Sequence, residues 1–137
     1  SSDPQLGDVY YFPYIWKRQH DWEEAEKDRP CCVAVRLKNP LKNGTDVILL
    51  ALSTTGFPND GGGVRVPREE LNRLTGFDPN KETWITTSEV NQTDHDHPYF
   101  DPSEYRGSFS KEWLKKEIYP LIHEIVLVVA ERAKHGG

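Results

Sequence analysis

The chain has 137 residues, 17 of them Lys or Arg and 22 Asp or Glu, which gives a formal charge of −5 with His neutral. Apolar residues make up 36% and charged residues 28%, a composition that fits a single domain and excludes a disordered or fibrous chain. Net acidity also excludes bulk electrostatic binding of nucleic acid, so any nucleic-acid chemistry must sit at a local site.

Residues 7–14, with Val9, Tyr10, Tyr11, Phe12 and Tyr14, are aromatic and β-branched, and predict a first strand that Pro13 confines to an edge or a bend. Residues 16–27 are dense in acid and Trp and read as a loop holding at most a short helical turn. Residues 31–37, from Cys31 to Leu37, form a nearly continuous apolar run, as expected of a strand covered on both faces. Asn43-Gly44 is a tight-turn signal, and residues 46–54 make the third and most buried strand. Strands two and three therefore form an antiparallel hairpin at the middle of the fold.

Three successive glycines, Gly61 to Gly63, make residues 57–63 irregular, with a short strand at 64–66 behind them. Pro67 at a first-turn position, acids in that turn and Gly76 beyond the end predict a two-turn helix over 67–74. Residues 83–90 read as another strand and residues 91–106 as a loop rich in Asp, His and Pro. Ser110 is a good N-cap. Apolar residues at Ile118, Leu121, Ile122, Ile125, Val126 and Val129 then mark one face of a long helix, which Pro120 should kink or split. Leu127 and Val128 lie off that stripe and call for cover on a second side, which a partner subunit can supply.

No apolar stretch approaches the ~20 residues of a membrane-spanning helix, and residues 1–7 have neither the basic start nor the apolar run of a secretory signal. Two adjacent cysteines do not make a disulfide framework, so the expected compartment is the cytosol. In a buried run, Cys31 and Cys32 act as small apolar filler. The architecture expected is a mainly antiparallel β-barrel with helical additions, organised as a barrel over about 6–93, a loop over 94–109 and a C-terminal helix over about 110–134, all within one domain spanning 1–137.

The chemistry follows from the hairpin. Arg29-Pro30 opens strand two, and Ser53-Thr54-Thr55-Gly56 closes strand three, so antiparallel pairing sets both groups at one end of the sheet. A guanidinium with five donors beside two or three hydroxyls, next to glycines that let a backbone approach closely, suits a phosphate gaining charge in a transition state. Asp94-His95-Asp96-His97-Pro98 is a second constellation. His95 and His97 are candidates for a general base or for two ligands of a Zn²⁺ site, against a hydrated polar loop as the plain reading. Tyr10, Tyr11, Phe12, Tyr14, Trp16 and Trp22 include possible base-stacking residues, with at least half expected in the core.

Gly7-Asp8-Val9 on a first strand, Arg29-Pro30 opening a Val-rich strand, and an apolar strand ending in Ser53-Thr54-Thr55 together resemble the MazF/PemK family over roughly residues 6–93. The resemblance implies an SH3-like small antiparallel β-barrel with a long C-terminal helix, and a growth-inhibiting toxin of a toxin–antitoxin system that cleaves mRNA. It further implies a homodimer, a cognate antitoxin and single-stranded RNA as partners. By the same resemblance Arg29 and Thr55 are the catalytic pair, and an acid shortly before the Arg falls at Glu24, with Glu23 and Glu26 as neighbours in the cluster. Ser53, Thr54 and Gly56 would contact substrate. Where the family carries an Asp-Gln pair, this chain has Ser88-Glu89-Val90-Asn91-Gln92, which makes Glu89 and Asn91 the substrate-contacting candidates there. The family reaction uses no cofactor or metal. The alternative reading is a non-catalytic binding module on the same fold, and a gyrase-poisoning toxin on a related fold is a third.

Overall fold

The protein is described from a computed structural model, which covers residues 3–13, 28–39, 41, 43–54 and 62–135. Among the described residues seven strands run β1 (Asp8–Phe12), β2 (Arg29–Asn39), β3 (Gly44–Ser53), β4 (Gly63–Arg65), β5 (Trp84–Thr86), β6 (Asn91–Asp94) and β7 (Tyr105–Ser108). They form one antiparallel sheet in the order β4–β5–β3–β2–β1–β7, with β6 also on β3. The fold is therefore mainly antiparallel β with a long C-terminal helix, and β4 and β7 are the two ends of the path.

The β2–β3 hairpin is the longest pairing, from Cys31 opposite Ala51 to Asn39 opposite Gly44. Its turn uses Asn43 at a positive φ of 50°, a conformation that Asn tolerates better than most residues. A register shift between Val33 and Val35 makes Ala34 a bulge. The other edge of β3 is shared. Ile85 and Trp84 pair with Leu52 and Ser53, while Asn91 to Asp94 pair with Leu49 to Asp46. One long strand is thus covered by two short ones in succession, and the chain steps across at residues 87–90.

The prediction of one strand over 83–90 and a loop over 91–106 is corrected on this point. The strand is only Trp84–Thr86, and β6 and β7 lie within the stretch read as loop or just past it. β6 is Asn-Gln-Thr-Asp, whose side chains carry no strand signal; backbone hydrogen bonds to the open edge of β3 define it instead. β7 carries Gly107 and pairs β1, so the sheet extends beyond residue 93.

Both faces of the central strands are covered over Cys31 to Ala34, whereas Val35 to Leu37, at the far end of the run expected to be covered, are half-buried. On one face Val9, Cys32, Ala34, Leu50, Leu52 and Ile85 pack with Leu71, Leu74, Phe109, Leu114, Ile118 and Ile122. On the other, Tyr10, Phe12, Cys31, Val33, Val47, Leu49 and Ala51 pack around Phe100, which is fully buried. Of the early aromatics, Tyr10 and Phe12 are core and Tyr11 is half-buried, whereas Tyr14, Trp16 and Trp22 lie outside the described residues.

Helix α1 (Arg68–Leu71) is a single turn rather than the two expected. After it, Arg73 and Leu74 bond back to Glu70 and Leu71, three residues away rather than four, so the chain tightens and does not propagate an α-helix. At the C-terminus, α2 (Lys111–Trp113) runs into a π-helical turn over Leu114–Ile118 and then α3 (Tyr119–His135). The Tyr119 N–H reaches the Leu114 carbonyl, five residues back. This wide turn directly precedes Pro120, which has no N–H and whose ring crowds the carbonyl four residues earlier. Proline is accommodated by a locally widened helix instead of a break. Leu114, Ile118 and Ile122 are buried from this helix, contributing roughly 5–9 kcal/mol as an upper figure, which anchors a helix that would be marginal alone.

Candidate active site

The end of the sheet where β2 begins and β3 finishes opens into a cleft of about 390 Å³. The hairpin register, with Cys31 opposite Ala51, carries Arg29 to the level of Ser53. β1 adds Tyr11, which pairs with Pro30, beside Phe12, which pairs with Arg29. The cleft is lined by Asp28, Arg29 and Pro30 from β2 and its approach, and by Leu52, Ser53 and Thr54 from β3. Tyr11 and the segment Gly76-Phe77-Asp78 with Lys81 and Thr83 complete the wall.

Arg29, Ser53 and Thr54 are therefore brought together as the sequence implies. Thr54 is exposed and Arg29 is half-buried. Thr55, Gly56 and Glu24 lie outside the described residues, as do residues 57–61. Glu89 sits between β5 and β6, and Asn91 pairs with Leu49, four positions before Ser53 on β3; neither lines the cleft.

Sequence reasoning did not single out Phe77, Asp78 and Lys81. The only local cue is an aromatic directly after the helix-terminating Gly76, and nothing in the chain announces that this loop folds back to β2 and β3. It is held there by Thr75, whose N–H donates to the Arg106 carbonyl at 2.7 Å, and by the Leu74–Gly107 bridge. Val66 continues the tie from the other side, donating to the Thr83 carbonyl at 2.8 Å.

Among the described lining residues, the two cations Arg29 and Lys81 are matched by two carboxylates, Asp28 and Asp78. The guanidinium fork offers directed donors to an anion there. Asp78 is partly engaged, its Oδ1 accepting the Asn80 N–H at 2.9 Å.

Behind Arg29, Cys31 is fully buried and its thiol points to the Arg29 carbonyl at 3.3 Å. Burial, and then the neighbouring Cys32, push the Cys31 thiol well above its ordinary range, with the Arg29 charge opposing. Cys32 is raised too, by burial and the Asp8 carboxylate. Both are thiols packed as apolar filler and not nucleophiles.

His95 and His97 do not converge. His95 Nδ1 lies 3.2 Å from Asp3 Oδ1, whereas His97 Nδ1 accepts the Tyr99 N–H at 3.2 Å and its ring packs on Phe12 at 4.8 Å. Among the described residues no group of three or more His, Cys, Asp or Glu is placed to hold a metal ion. Neither histidine lines the cleft.

No protein-family model matches the chain, and no curated protein matches it significantly. The likeness to MazF/PemK proteins thus stands on the three short segments around Gly7, Arg29 and Ser53. Among the described residues, no helix is long and apolar enough to cross a membrane.

Proposed function

We propose that the chain is a toxin-type, sequence-selective endoribonuclease that cuts single-stranded RNA in the cleft at the β2–β3 end, on a small barrel related to SH3. One observation carries this reading: Arg29 and the hydroxyl residues Ser53 and Thr54, far apart in sequence, line the same open cleft. In the proposed reaction the 2′-oxygen attacks the adjacent phosphorus and the bond to the 5′-oxygen breaks. The departing 5′-oxygen takes up a proton from water, and a 2′,3′-cyclic phosphate and a 5′-hydroxyl end result. Arg29 stabilises the charge gathered on the pentacovalent phosphate, worth about 3–4 kcal/mol by comparison with one oxyanion-hole donor. Ser53 and Thr54, with Thr55 following, orient the phosphate oxygens. The 2′-hydroxyl proton passes to a carboxylate, for which Asp28 and Asp78 in the lining and Glu24 in the preceding acidic run are the candidates.

The same reading places the protein in the cytoplasm with a cognate antitoxin, and makes it a homodimer. A groove of about 330 Å³ between α3 and β2, apolar over Leu6, Val35, Ile122 and Val126 and with Arg36 and His123 also in its lining, supports a second copy. So do Leu121, Leu127 and Val128, each more than half exposed.

The test is incubation of a metal-free preparation with mixed RNA beside Arg29→Ala. Fragments with cyclic phosphate ends, lost in the variant, are the expected result; cleavage that survives the substitution removes Arg29 from the mechanism. Asp28 and Asp78 in the lining favour a second reading, a non-catalytic module that binds protein or nucleic acid, because they offset the two cations. RNA binding without cleavage across many sequences would establish that second reading.

A further inference from the structure

Tyr10 and Phe12 turn into the core around Phe100, with ring centroids 5.3 Å from it in each case. Strand alternation sends Tyr11 to the opposite face, where it is half-buried and lines the cleft beside Pro30 and Arg29. A large aromatic left at the rim of a cleft, when its two neighbours fill a core, is available to a planar ligand.

Tyr11 is also held in place. β7 opposes β1 with Val9 on Gly107 and Tyr10 on Tyr105, so Arg106 is the extra residue of a β-bulge. Bulges re-aim side chains, and here the Arg106 guanidinium lies over the Tyr11 ring, 4.6 Å from its centroid. The bulge itself is pinned. Gly107 adopts a φ of +117°, and a Cβ there would come within 2.4 Å of the Arg73 carbonyl. The Arg106 carbonyl takes the Thr75 N–H, and its Nη1 donates to the Ser103 and Tyr105 carbonyls at 2.9 and 3.1 Å. Arg106 is thus held by three hydrogen bonds, one at its carbonyl and two at its Nη1. It orients the ring.

We infer that Tyr11 is a nucleobase-stacking residue of the cleft, and that Arg106 is its positioning residue. This inference rests on the reading of the cleft as an RNA site. Tyr11 and Arg29 line the same cleft from adjacent strands, so RNA held in the cleft meets both. Every base has a π face, so the contact adds affinity for unpaired RNA whatever the base. A ring already oriented by a cation loses less freedom when a base stacks on it.

The test uses the full chain with a labelled, mixed-sequence single-stranded RNA carrying 2′-O-methyl riboses, which cannot be cut by 2′-oxygen attack, and reads Kd by anisotropy. Cleavage of unmodified mixed RNA is followed in parallel. Tyr11→Leu keeps apolar bulk but no π face, and should weaken binding roughly 5- to 150-fold while raising KM more than it lowers kcat. Tyr11→Phe should recover most of that loss. Arg106→Gln should weaken binding by a smaller factor, and Arg106→Lys should restore part of it. Thermal melts identify any variant that merely unfolds, and the Phe and Lys variants keep the comparison valid in that event. RNA bound and cut normally by Tyr11→Leu overturns the stacking role while leaving the nuclease reading intact. A wild-type chain that neither binds nor cuts RNA overturns both.

Discussion

Glu70 and Ser110, forty residues apart, are joined twice: the carboxylate of Glu70 accepts the backbone N–H and the hydroxyl of Ser110, each at 2.8 Å. Ser110 Oγ in turn accepts the Trp113 N–H at 3.2 Å and so caps the C-terminal helix. Glu70 is itself buried on α1. A single carboxylate therefore locks the α1 turn to the first turn of the long helix, and a negative group at that helix start is favoured by the helix dipole.

Removing either partner should loosen both elements. Ser110→Ala deletes a cap and is expected to cost about 1 kcal/mol. Glu70→Gln puts an amide where two donors converge and is expected to cost about 1–3 kcal/mol. Urea denaturation of the two single variants and the double variant measures the coupling. The double variant should lose clearly less than the sum, since the pair acts as one network. Strict additivity would show that the contact contributes nothing beyond its parts.

In the cleft, Arg29→Ala should lower kcat for RNA cleavage by roughly 10²- to 10³-fold, as loss of one transition-state donor does, with a smaller change in KM. Thr54→Ala should lower it less, because a hydroxyl donor is weaker than a cation. Equal losses in KM and none in kcat for Arg29→Ala would make Arg29 a binding residue only.

Near the N-terminus, Asp3 Oδ1 accepts Arg36 Nη1 at 3.0 Å and stands 3.2 Å from His95. The Arg36 hydrogen bond, against a partial opposing effect of desolvation and with help from His95, holds the Asp3 carboxyl below its ordinary 3.8. A depressed folded-state value stabilises the fold above about pH 3.8. That contribution is lost as pH falls through the lower folded value. NMR titration should place Asp3 below 3.8 in the wild type and return it toward 3.8 in Arg36→Gln, and Asp3→Asn should flatten this part of the stability curve. An unshifted Asp3 in the wild type would remove the clasp.

The two cysteines give a fourth check. With both thiols buried and raised in pKa, the native protein should react with a thiol reagent at neutral pH only as fast as it opens. Two thiols should titrate promptly in denaturant. Rapid native labelling of either would place it at the surface.

Much of this fold is visible along the chain because its signals are local. The Asn43-Gly44 turn, the unbroken apolar run after Pro30 and the stripe from Ile118 onward each report on their own neighbourhood, and all three became the elements expected. The juxtaposition of Arg29 with Ser53 was likewise legible, since hairpin pairing makes it a matter of counting from one turn. β6 was not legible, because Asn91 to Asp94 become a strand only by taking the hydrogen bonds that β3 leaves open.

What the linear order of residues determines here is where backbone segments extend, turn and coil, through side-chain shape and burial. What only the tertiary structure decided is which distant groups share the cleft, Tyr11 from β1 and Phe77, Asp78 and Lys81 from the loop after α1, and that Arg106 from a bulge in β7 lies over the Tyr11 ring. These meet because a bulge pinned by Gly107 and a loop tied through Thr75 are long-range closures, whose geometry depends on the whole packed sheet and has no counterpart in any short stretch of sequence.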